Sequence, residues 1–73
     1  MSKLPVISGE QCTKALEKAG FRFRRQEGSH VTLRRDIPFC QLVVPLHKDL
    51  DRGTLRAVIR QAGLSVGEFT GLL

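Results

Sequence analysis

His30 is the residue in this sequence best placed to do chemistry. It directly follows Gly28-Ser29, and Arg22, Arg24 and Arg34 lie within eight positions of it. An imidazole titrates at about pH 6.5 and, among side chains, is best poised both to take and to return a proton at neutral pH. Guanidinium groups beside it can hold a phosphate and stabilise the charge that grows on it in a transition state. The combination points to phosphodiester chemistry, with His30 as the catalytic residue and Arg22, Arg24 and Arg34 as phosphate ligands. Ser29 joins the phosphate-binding set through its place in Gly28-Ser29-His30.

A second cluster runs through Pro45-Leu46-His47-Lys48-Asp49 into Arg52-Gly53-Thr54-Leu55-Arg56. Backbone N–H groups at a helix start can receive a phosphate, and Lys48 can add a side-chain contact. Arg56 and Arg60 fall one turn apart and form a basic stripe. The competing reading is a plain strand-to-helix loop with solvated charges. His47 is a candidate second acid or base, but its loop position leaves that role open.

These side chains need elements to position them. Ser8-Gly9-Glu10-Gln11 reads as a capping box, followed by Cys12, Ala15, Leu16 and Ala19 on one apolar stripe and by a stop at Gly20. The same spacing returns in Leu55, Val58, Ile59 and Ala62, started by Asp51 or Gly53 and stopped at Gly63. A short third helix begins at Ser65, with Glu68 as its box partner and Val66, Phe69 and Leu73 facing in. Between the long helices the period changes to two. Phe21 and Phe23 alternate with arginines; Val31 and Leu33 alternate with His30, Thr32 and Arg34; Leu42, Val44 and Leu46 form the third strand. The order is α-β-β-β-α with an extra C-terminal helix, an α+β domain in which both long helices cover one face of a three-stranded antiparallel sheet. Fixing Val31 and Leu33 inward sends His30, Thr32 and Arg34 to the open face, with Arg22 and Arg24 beside them.

Size and composition narrow the function classes. The chain has 73 residues, so it is read as one domain over 1–73, too small for a dinucleotide-binding fold or a deep-pocket enzyme. No apolar run approaches the ~18 residues that cross a bilayer, and no secretory h-region follows the start, so a cytoplasmic setting is expected. Twelve Lys and Arg against seven Asp and Glu give a net charge of +5, spread along the chain, which favours a polyanionic partner, nucleic acid first. Cys12, Cys40, His30 and His47 lack finger-like spacing, so no metal or cofactor is expected. The four Phe look mostly like core and there is no Trp or Tyr, which argues against aromatic capture of single strands.

The sequence resembles the HicA-type toxins, small mRNA interferases of bacterial toxin–antitoxin pairs. The resemblance runs through Lys3-Leu4-Pro5-Val6-Ile7-Ser8-Gly9, Leu16-Glu17-Lys18-Ala19-Gly20-Phe21 and Gln26-Glu27-Gly28-Ser29-His30-Val31. It continues through Val44-Pro45-Leu46-His47-Lys48, Gly53-Thr54-Leu55-Arg56-Ala57-Val58-Ile59 and the tail from Ala62 to Phe69. It implies a fold like that of double-stranded-RNA-binding domains and RNA cleavage with His30 as the catalytic residue. It also implies neutralisation by a HicB-type antitoxin, expected to cover the His30 face. The free toxin is expected to be a monomer acting on mRNA without a metal. The rival readings are a non-catalytic double-stranded-RNA-binding module and a basic protein that only docks an acidic partner.

Overall fold

The computed structural model describes residues 3–73; Met1 and Ser2, the first two residues of the segment read for a secretion signal, lie outside them. The elements are α1 (Gly9–Lys18), β1 (Arg22–Glu27), β2 (His30–Arg35), β3 (Cys40–Pro45), α2 (Arg52–Gln61) and α3 (Val66–Thr70). The strands form one antiparallel sheet in the order β1-β2-β3, so β2 is central and both neighbours are edges. This is the α+β arrangement anticipated from caps and periods.

The helix starts follow their sequence signals. Ser8 accepts from the Gln11 N–H while Gln11 reaches back to Ser8, and Ser65 and Glu68 repeat the box at α3. Asp51, not Gly53, caps α2 by accepting from the Thr54 N–H at 3.2 Å. The long helices end before Gly20 and Gly63, both at positive φ.

One core lies between the helices and the sheet. Cys12, Ala15 and Leu16 of α1 and Leu55, Val58 and Ile59 of α2 pack with Val31, Leu33, Leu42 and Val44. α3 adds Phe69, its only fully buried side chain. Burying that ring contributes roughly 2–3 kcal/mol, which offsets the ordering cost of so short a helix. Leu73, expected to face in, is instead about half exposed, and Leu72 packs against the core in its place. After Gly71, which is still αR, the N–H groups of Leu72 and Leu73 bond three residues back to Phe69 and Thr70, so the four-residue spacing of α3 no longer holds there. Arg35 ties the layers together. Its guanidinium lies 4.6 Å from the buried Phe21 ring and donates to the carbonyls of Pro38 and Ala62.

The two thiols differ in environment. Cys12 is fully buried, and burial pushes its thiol up to about 11. Cys40 is half-buried and donates to the Gln61 carbonyl at 3.1 Å. Labelling of the native protein with a thiol reagent at neutral pH is expected to modify Cys40 and spare Cys12 until the chain unfolds. Equal labelling of both in native buffer, read by mass spectrometry, would contradict this packing.

Candidate catalytic histidine and nucleic-acid interface

β1 and β2 are joined by the two-residue loop Gly28-Ser29. Gly28 has φ 59°, a backbone state that glycine adopts without strain and that suits the first position of a tight hairpin. This closure places Glu27 directly opposite His30, and His30 opposite Pro45 on β3. The Leu46 N–H donates to the Ser29 carbonyl at 2.6 Å, so the end of β3 holds the histidine hairpin in place.

Paired residues in an antiparallel sheet share a face. The open face therefore carries three rows: Glu27, His30 and Pro45; then Arg25, Thr32 and Val43; then Arg22, Arg34 and Gln41. His30 is exposed, as are Arg22 and Arg25. Thr32 departs from the expectation for its row and is only 6% exposed. It sits in the central strand between Arg25 and Val43.

The arginines meet at the opposite end of this face from His30. Arg22 Nη2 and Arg34 Nε donate to the two carboxylate oxygens of Asp36, at 3.0 and 2.8 Å. Arg22, Phe23, Arg24, Arg34 and Asp36 line an open depression of about 450 Å³. Arg24 reaches it by a different route from the one anticipated. The register shifts between Phe23 and Arg25, so Arg24 is the extra residue of a bulge, and Arg25 takes the place opposite Thr32. Arg25 in turn lies 3.5 Å from Glu27.

The remaining predicted residues are distributed around the fold. Ser29 stands in the hairpin loop next to His30. Lys48 is exposed in the segment after β3, which leaves the sheet at its His30 end; the His47 carbonyl there accepts from the Gly9 N–H. Arg56 is exposed on α2, whose apolar stripe packs on the covered face of the sheet. The fold thus gathers His30, Ser29 and Lys48 at one end and Arg22, Arg24 and Arg34 at the other, and leaves Arg56 on the helical side.

Two features escaped the sequence reading. Glu27 falls opposite the histidine in the strand register, and the signal for it was the two-residue loop, which pairs the positions on either side. The phenylalanines also divide differently. Phe21 and Phe69 are core, but Phe23 and Phe39 are 55% and 66% exposed. Phe23 pairs with Leu33 on the covered face, yet β1 is an edge strand beyond the reach of both helices. Phe39 stands before β3, with the Arg34 guanidinium 5.3 Å from its ring centroid.

Among the described residues no three His, Cys, Asp or Glu side chains are grouped as metal ligands, and no helix is long and apolar enough to cross a membrane. A search of curated proteins returned no significant match. A family model described as the HicA toxin of bacterial toxin–antitoxin matches residues 9–64, from the first residue of α1 to the segment after α2. That span is more than half of the chain and contains the whole sheet, its open face and both long helices. The chain belongs to the HicA toxin family of bacterial toxin–antitoxin systems.

Proposed function

We propose that this toxin is a metal-independent endoribonuclease that cleaves mRNA, with His30 as its catalytic residue. The observation that carries the reading is an exposed histidine on an open sheet face, with a carboxylate opposite it and an arginine group at the far end of the same face. His30 takes the proton of a ribose 2′-hydroxyl as its oxygen bonds to the adjacent phosphorus. The bond from phosphorus to the 5′-oxygen breaks, and that oxygen takes a proton from water and leaves as a 5′-hydroxyl. The other product end is a 2′,3′-cyclic phosphate. Arg22, Arg24, Arg34 and Lys48 bind phosphates.

The defining test is to incubate the purified protein with single-stranded mRNA in the presence of a chelator and to analyse the new ends. Cyclic phosphate termini support the proposal. Binding without cleavage would point to a double-stranded-RNA-binding-like module with no chemistry. Neither binding nor cleavage would leave a basic protein that only docks its partner. Affinity should also fall steeply with salt. Four cationic contacts on a single strand give a slope of log K against log salt of about −3, and a flat response would exclude phosphate binding by these residues.

Membership of a toxin–antitoxin family implies an antitoxin partner. We take it to be a HicB-type protein that covers His30, because among the described residues no segment closes over the open face, where His30 is exposed. A specific interface of ~1,000 Å² in total takes roughly 500 Å² from each side, about a tenth of the 4770 Å² surface here. Amide exchange on the complex should show protection along β2 and its neighbours; protection confined to α1 and α2 would exclude direct occlusion.

A further inference from the structure

We infer that the depression between Arg22, Arg24 and Arg34 is a subsite for one unpaired nucleotide of an RNA strand, its phosphate held by Arg22 and Arg34 and its base stacked on Phe39. This deepens the proposed function and rests on it. The depression lies in the third row of the open face, four residues along β2 from His30, so about 13 Å separates it from the catalytic end at ~3.3 Å per residue.

The geometry already holds an anion there. Two guanidinium groups converge on the two oxygens of Asp36, an arrangement that two oxygens of a phosphodiester can adopt in its place. The ion pairs are open to solvent, with the Arg22 and Asp36 side chains 79% and 49% exposed. Such pairs contribute little and exchange readily for another anion. Asp36 therefore keeps the two arginines converged until a phosphate replaces it.

Phe39 lies outside the lining of the depression and adjoins it through Arg34, whose guanidinium is 5.3 Å from the ring centroid. Its ring lies outside the core, and it is already paired with Arg34. Bases that are splayed out of a helix stack on aromatic rings and on guanidinium planes, whereas paired bases present only edges and backbone. A phosphate clamp beside an exposed ring, on the same face as the catalytic histidine, matches an unpaired nucleotide better than an acidic peptide, which would use the arginines and leave the ring without a stacking partner.

The test uses full-length protein carrying His30→Ala, so that RNA is bound but not cut, with fluorescence anisotropy of a short unstructured RNA and of an RNA duplex. Phe39→Leu should weaken the single strand at least about fivefold and leave the duplex unchanged. Asp36→Asn should tighten the single strand by up to about fivefold, a gain that misfolding cannot produce. Unchanged single-strand affinity in both variants, with the parent protein still cleaving RNA, would overturn the subsite and leave the nuclease intact. Equal weakening of strand and duplex by Phe39→Leu would also overturn it, as would loss of antitoxin binding alone, which would make this a protein-docking surface. Absence of both binding and cleavage in the parent protein would overturn the proposed function together with the subsite.

Discussion

His30→Ala is expected to reduce RNA cleavage by about 10²- to 10⁴-fold and to abolish growth inhibition on expression in bacteria, while the thermal midpoint stays nearly unchanged. The loss is that of a proton carrier in the transition state. The stability expectation follows from position. His30 is exposed at the start of β2, and its neighbours Glu27 and Pro45 pair with it through backbone register, which alanine retains. Exposed substitutions of this kind usually stay within about 0.5 kcal/mol. A fully toxic His30→Ala protein would remove the histidine from the mechanism. An inactive but unfolded one, detected by circular dichroism, would show that the residue has a structural role instead.

Much of this architecture is legible locally, because caps and hydrophobic periods act over a few residues. Ser8 with Gln11 and Ser65 with Glu68 mark helix starts whatever lies elsewhere in the fold, and the alternation of Val31 and Leu33 settles which way His30 points. Glu27 was equally available, since a two-residue loop pairs positions 27 and 30. Other features depend on distances that the sequence does not encode locally. Phe23 is exposed because the helices do not extend over β1, and no pattern within β1 reports how far they reach. The bulge that substitutes Arg25 for Arg24 opposite Thr32 breaks the alternation on which the outward assignment rested. The Asp36 clamp forms only when the β2–β3 turn carries a carboxylate back over the ends of two strands. Thr32 is buried although two-fold alternation assigns it to the open face, so burial there is set by the three-dimensional surroundings and not by the strand pattern.

Gly9→Ala is expected to destabilise the protein by about 3 kcal/mol, the largest effect on folding predicted for any single methyl group here. In the sequence Gly9 is merely the second residue of a capping box. In the fold, the first turn of α1 rests on the backbone where β3 ends. The Gly9 N–H donates to the His47 carbonyl at 2.9 Å, and a Cβ at Gly9 would overlap the Pro45 carbonyl oxygen and lie 2.8 Å from the Leu46 Cα. The obstructing atoms are main chain, so no rotamer change can relieve the overlap, and either α1 or the end of β3 must move. Pro45 pairs with His30, and Leu46 donates to the Ser29 carbonyl, so a displaced β3 end shifts the histidine hairpin as well. Any Gly9→Ala protein that remains folded should therefore lose RNA cleavage. Denaturant unfolding measures the stability change, and cleavage assays well below the midpoint separate the site effect from simple unfolding. A midpoint equal to that of the parent protein would show that α1 does not contact β3 this closely. A stable variant with full cleavage would show that the helix start and the histidine hairpin are not coupled.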